Sequence, residues 1–237
     1  MSFVQTLERK IKSKPLSLTG SFEGVILILL DEEEGVFEMK VLLIGAYGTL
    51  GKAVFNRLSK KNEVITAGRH SGEIHVDITD PDSIRNMYNE VGKVDAVVSA
   101  TGSAVFSPLA ELTPEKNEQT LRSKLGGQIN LVLLGLDYIN DGGSFTLTTG
   151  VMMEDPIRQG ASAAMANGAV TAFAKSSATE MPRGIRINTV SPNVLEESWE
   201  NLEPFFEGFT PVPADRVARA FEKSVHGAQT GQSYKVY

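Results

Sequence analysis

The chain has 237 residues, 41% hydrophobic and 22% charged, enough apolar material for a sizeable core and too much for wholesale disorder. A formal net charge of −6 with no basic block argues against a nucleic-acid partner, and the lack of any cysteine excludes disulfides, thiolate metal sites and thiol catalysis. Three scattered histidines, His70, His75 and His226, have no metal-ligand spacing, so no metal is expected.

The first 38 residues read differently from the rest. Phe3, Leu7 and Ile11 have the spacing of a short amphipathic helix. The aliphatic run Val25 to Leu30 is fenced by Glu23 and by Asp31 to Glu34, too short to span a membrane and without a cleavage site of the signal-peptide kind. Met39-Lys40 opens directly into a strand, as a natural start would. Glu33-Glu34-Gly35 can be encoded by a purine-rich run resembling a ribosome-binding site. The expectation is therefore an N-terminal extension over 1–38, poorly ordered or non-native, ahead of one domain over 39–237. The protein is expected to be soluble and cytoplasmic.

From Met39 the hydrophobic pattern alternates between short buried runs and helical spacing. Strands are expected at Lys40–Ile44, Glu63–Gly68, Ile74–Val76, Val94–Ser99, Ser144–Thr148 and Ile185–Val190. Helices are expected at Leu50–Lys60, at Asp82–Val91 behind an Asp80 N-cap and Pro81, at Glu115–Ile139 and at Ala161–Met181. This alternation predicts an α/β fold, a doubly wound parallel sheet with helices on both faces, in the Rossmann manner.

Gly45-Ala46-Tyr47-Gly48-Thr49-Leu50-Gly51 closes the first strand and opens the first helix. Glycines there permit a tight turn and close approach to a pyrophosphate, whose charge the helix N–H groups stabilise. The second strand ends in Gly68-Arg69-His70-Ser71, with no acid before Glu73. An NAD-preferring site wants an acid there for the ribose 2′-hydroxyl. Arg69 and Ser71 suit a 2′-phosphate instead. NADP is the expected cofactor, with NAD second.

These residues, with three further segments, resemble the short-chain dehydrogenase/reductase family across nearly all of 40–237. Asp77-Ile78-Thr79 resembles the family's aspartate segment beside the adenine, and Ser99-Ala100-Thr101-Gly102 its Asn-Asn-Ala-Gly segment beside the cofactor. Arg183-Gly184-Ile185-Arg186-Ile187-Asn188-Thr189-Val190-Ser191-Pro192 is similar to its sixth-strand motif. The resemblance implies that Pro192 and the backbone near Val194 hold the nicotinamide carboxamide. It also implies pairing of the two long helices into a homodimer, for which the many small residues of the later helix (Ala161 to Ala174) leave room.

At the catalytic positions the resemblance fails. Aligning Gly142-Gly143-Ser144-Phe145 places Gly150 at the family's serine, beside Thr149. Its tyrosine then falls at Ala163 and its lysine at Asn167, a register that Val170-Thr171-Ala172-Phe173 supports independently. The family's further asparagine falls at Ser123. No tyrosine in the chain has a lysine four residues later. Ala163 has no proton to give, and Asn167 can bind a ribose hydroxyl but carries no charge. Other groups lie close in sequence, but Thr148 and Thr149 suit a strand, Glu154, Asp155 and Arg158 a solvated loop, and Met152 and Met153 packing. The catalytic residues therefore stay unassigned. The resulting expectation is an NADP-dependent oxidoreductase acting on a small carbonyl or alcohol through a degenerate site. The alternative is an inactive NADP(H)-binding sensor or regulatory protein.

Overall fold

A computed structural model describes residues 39–237; the expectations for 1–38 lie outside the described residues. Seven parallel strands form one sheet in the order β3-β2-β1-β4-β5-β6-β7. The strands are β1 (Lys40–Ile44), β2 (Glu63–Gly68), β3 (Ile74–His75), β4 (Val94–Ser99), β5 (Ile139–Thr148), β6 (Arg186–Pro192) and β7 (Ser233–Val236). Central β1 is apolar from Val41 to Ile44 because both its faces are covered. Val41 and Leu43 join one core, against α1 (Thr49–Leu58) and α7 (Ala214–His226). Leu42 and Ile44 point the other way, into a core shared with α2 (Pro81–Val91), α4 (Gln128–Gly135) and α5 (Ala161–Ser177). Each fully buried aliphatic side chain contributes about 1.5–3 kcal/mol.

Before α4 the chain forms α3 (Pro114–Thr120) and then a π-helical segment, Leu121–Gly127. The expected long helix is thus helical over 114–135 with a wide turn in its middle. A 3-10 turn, Leu136–Tyr138, ends it. The Arg183 guanidinium stabilises that exit by donating to the carbonyls of Leu136 and Ile139 and pairing with Asp141. Consequently β5 starts at Ile139, earlier than the sequence suggests. Asp80 caps α2 as expected, its side chain accepting from the Asp82 N–H. By contrast α5 stops at Ser177, short of Met181, since the residue before Pro182 is driven out of helical geometry. Beyond the 3-10 turns, three elements went unforeseen: the single helical turn α6 (Trp199–Leu202), α7, and β7, which pairs with β6 from Thr189↔Ser233 to Pro192↔Val236.

Parallel pairing brings every strand's carboxyl end to one edge of the sheet. β1 pairs with β2 on one side and β4 on the other, so the strand order reverses beside β1. A crevice opens at such a switch point, outside the strand ends.

Candidate functional site

The crevice is a cleft of about 350 Å³ bounded by Gly45, Tyr47 and Gly48 from the first loop, by Arg69, His70 and Ser71 after β2, by Asp77 and Ile78 after β3, and by Thr101, Ser103 and Ser123. Nine of the residues singled out for cofactor contact therefore meet around one cavity. Gly45 sits at φ +86°, and a side chain there would come within 2.7 Å of the Ala100 carbonyl. A Cβ on Gly51 would lie 1.9 Å from the Gly45 carbonyl oxygen. These two positions let the loop fold back tightly and leave the start of α1 bare. Thr49 and Leu50 are the first residues of α1, whose opening turn carries no acidic residue and no side-chain cap. An anion is the natural partner of such an end.

Arg69 is 61% exposed, with its Nη1 4.0 Å from the Asp77 carboxylate and its Nε donating to the His70 ring. Asp77 is fixed in turn. Its Oδ1 accepts from the Thr79 N–H and hydroxyl, and these bonds hold its carboxyl below the usual range, with Arg69 adding to the effect. The guanidinium thus stands exposed at the cleft mouth beside Asp77 and His70. Ser71 and Tyr47 are exposed beside it.

The other expected contacts lie outside this lining, toward β5 and β6. Ala100 donates its N–H to Ile44, Gly102 continues the segment after β4 at φ +108°, and Thr149 donates its hydroxyl to the Val190 carbonyl. Ala163 and Asn167 are both 1% exposed, on the inward face of α5. Asn167 Nδ2 donates to the Gly150 carbonyl at 3.4 Å, and its Oδ1 is buried without a partner. An unpartnered buried acceptor is costly, and a ribose hydroxyl reaching it would satisfy it. The Val194 groups are taken: its N–H donates to Asn193 Oδ1, and its carbonyl accepts from the Val212 N–H. A carboxamide held after Pro192 would have to displace the Asn193 side chain.

The candidate stand-ins for the missing acid have structural duties. The Thr148 hydroxyl donates to the Ser99 carbonyl, Glu154 pairs with Lys235 at 2.8 Å, and Met153 sulfur accepts from Thr171. Met152 packs in a small cluster with Val151, Val194 and Phe206. Asp155 and Arg158 are exposed. Ser123 accepts from the N–H and hydroxyl of Ser103. Beside it stands a residue that sequence reasoning passed over, Lys124, half-buried in the π-helical segment. Only its place directly before Leu125-Gly126-Gly127 distinguished it from any solvated helix lysine. Among the described residues no group of acids and histidines could hold a metal ion, and no helix is long and apolar enough to cross a membrane.

Comparison with known proteins agrees with this geometry. The model for enoyl-(acyl carrier protein) reductase matches residues 50–219. A hydroxynaphthalene reductase of Aspergillus fumigatus is 27% identical over 138 residues, 56% of this chain and 50% of its own, so the chain spans about half the length of that relative. The tetrahydroxynaphthalene reductase PfmaG of Pestalotiopsis fici is 24% identical over 206 residues, covering 79% and 74%. Among solved structures, the protein lin1944 from Listeria innocua is 80% identical, with a TM-score of 0.84 over 84% of this chain and 100% of that one. A small-chain dehydrogenase in complex with NADPH shares the fold at 22% identity, TM-score 0.74, over 83% and 95%. With the glycine loop at the switch point and the family model spanning most of the sequence, the chain belongs to the short-chain dehydrogenase/reductase family of oxidoreductases.

Proposed function

We propose that the protein is an NADP(H)-dependent oxidoreductase acting on a small carbonyl or alcohol, with the usual tyrosine and lysine positions vacated. The observation that carries this reading is the exposed Arg69 at the mouth of the cleft, 4.0 Å from Asp77, in a segment that offers no acid between the end of β2 and Glu73. Its planar fork matches a 2′-phosphate, whereas a bare ribose hydroxyl gives it little to hold. The orphaned Asn167 Oδ1 and the bare start of α1 fit the rest of a dinucleotide. When bound, the cofactor would supply or accept hydride. Gly45, Gly48, Thr49, Leu50 and Gly51 would seat its pyrophosphate, while Arg69 and Ser71 fix its 2′ end. Asp77 and Ile78 would border the adenine, and Asn167 would orient a ribose.

The reductase names of the relatives, and the NADPH complex of a fold neighbour, favour reduction with NADPH. Ala163 cannot protonate an alkoxide, and a missing positioned acid costs about 10²–10⁴ in rate. The best substrates are therefore carbonyls that stabilise the charge themselves, such as quinones. A second reading, a sensor of NADP(H) without turnover, draws on the buried Ala163–Asn167 face. An NADPH-oxidation screen over aldehydes, ketones and quinones separates them. Turnover of any class supports the oxidoreductase, and tight binding with none supports the sensor.

We also propose a homodimer. The outer face of α5 exposes Ala161, Met165 and Ala172, Gly168 there faces open space, and Leu133 on α4 is 56% exposed. Light scattering should show twice the chain mass, and a monomer at micromolar concentration would contradict it.

A further inference from the structure

The degenerate site lacks an acid on α5, yet one ionisable group near it has no assigned work. Lys124 stands in the π-helical segment Leu121–Gly127, and that segment packs against α5, the helix carrying Ala163 and Asn167. Its aliphatic stem lies over the exit of β4. A Cβ on Gly102 would come within 3.1 Å of the Lys124 Cδ and 3.2 Å of its Cα, so glycine at 102 is what gives the side chain room. Gln128 fixes the backbone beneath it. The Gln128 amide nitrogen donates to the carbonyls of Lys124 and Thr148, and its oxygen accepts from the Thr148 N–H. The Lys124 backbone is thereby tied through Gln128 to the carboxyl end of β5, its stem lies against Gly102 just after β4, and its neighbour Ser123 lines the cleft. A wide turn at this point is itself notable, since π segments concentrate at functional sites.

We propose that Lys124 supplies the proton, and the local positive charge, that the vacated tyrosine and lysine positions cannot. This rests on the oxidoreductase reading above. With a bound reduced nicotinamide supplying hydride to the carbonyl carbon, the C=O π pair would move to oxygen and the Lys124 Nζ–H bond would break as an O–H bond forms. An alcohol, a neutral amine and the oxidised cofactor would result, and water would reprotonate the amine.

The chemistry of the group suits the task. Burial pushes its ammonium down to about 8, and a general acid works best when its pKa is near ambient pH. No charged neighbour contributes to that shift. Glu118 and Arg122 on the same helical run are exposed, α5 carries no ionisable side chain before Lys175, and the segment after β4, Ala100 to Ser103, contains no ionisable residue. Arg69, His70 and Asp77 line the cleft on the β2 and β3 side.

The test uses Lys124→Met and Lys124→Arg in the full chain, with three measurements. Competitive labelling with an amine-selective reagent, read residue by residue by mass spectrometry, should show Lys124 titrating near 8 and becoming protected by NADPH. Calorimetry should show NADPH affinity within about threefold of wild type for the arginine variant. Reduction of an unactivated ketone should fall about 10²–10⁴-fold in both variants, because arginine keeps the charge but does not release a proton near neutral pH. Wild-type ketone reduction should decline above pH 8. A wild-type rate in Lys124→Met, or a Lys124 that labels equally with and without NADPH, overturns the assignment to Lys124 alone. Absence of NADPH binding by the wild-type chain overturns the oxidoreductase reading with it.

Discussion

The two halves of the cleft are built to different standards. On the β2 and β3 side the glycine loop, Arg69, Ser71 and Asp77 border an open cavity, with Arg69 and Ser71 exposed. On the β5 and β6 side, Ala163 and Asn167 are sealed inside, Asn167 Oδ1 has no partner, and the Val194 N–H is spent on Asn193. On the proposed reading the first half grips an adenosine 2′-phosphate, while the second, with Ala163 and Asn167 in place of a tyrosine and a lysine, must draw its proton from elsewhere. Binding and catalysis are thus separable in this fold, because they draw on opposite ends of the sheet edge and on different loops.

The harshest way to break the comparison is to fill the glycine loop. Gly51→Ala places a methyl where only 1.9 Å separates it from the Gly45 carbonyl oxygen. The loop must move, at about 1–3 kcal/mol, and calorimetry should detect no NADPH binding. Next, Arg69→Ala should weaken NADPH by about 10–100-fold, the worth of about 1.5–3 kcal/mol in charge-assisted bonds, and leave NADH unchanged. Equal losses for both cofactors would place Arg69 away from the 2′ position.

A smaller effect concerns the second half. An unfolded lysine titrates near 10.4, whereas Lys124 is held down to about 8 by burial. Between these values the unfolded chain binds more protons than the folded one, so stability rises with pH over that window. The melting temperature of wild type relative to Lys124→Met should climb from pH 8 to pH 10, and a flat difference would mean that Lys124 is fully solvated. The smallest effect is none at all. On this account neither half draws on residues 1–38, so a chain beginning at Met39 should bind NADPH equally well. A melting temperature lowered by more than about 2–4 °C, which corresponds to roughly 1 kcal/mol at this size, would count against it.

Much of this was legible in the chain, for reasons that differ by region. β1 and β4 announce themselves because both their faces are buried and their centres, Val41 to Ile44 and Ala96 to Val98, are continuously apolar. The cleft's first half was legible because the glycines answer to backbone geometry that few other residues tolerate. The Arg183–Pro192 segment is the most family-like stretch, yet much of its content is architectural. Arg183, at φ +54°, clamps the end of the 3-10 turn, Arg186 donates to the carbonyls of Ser224 and Val225 at the end of α7, and Asn188 bonds Ser224, Gln229 and Gln232. β7 escaped notice because an edge strand of four residues, Ser233–Val236, alternates weakly. Lys124 escaped because its setting comes from Gly102 and Thr148, distant in sequence, and from a π turn that no spacing rule flags.

The central claim is that the adenosine half carries the binding. Titration by calorimetry of NADPH against adenosine 2′,5′-bisphosphate, which lacks the nicotinamide and its ribose, tests it most directly. The account predicts that the fragment binds within about tenfold of NADPH, a loss of about 1.4 kcal/mol. A fragment bound a thousandfold more weakly would show that the β5 and β6 half grips the nicotinamide after all, and would contradict the account.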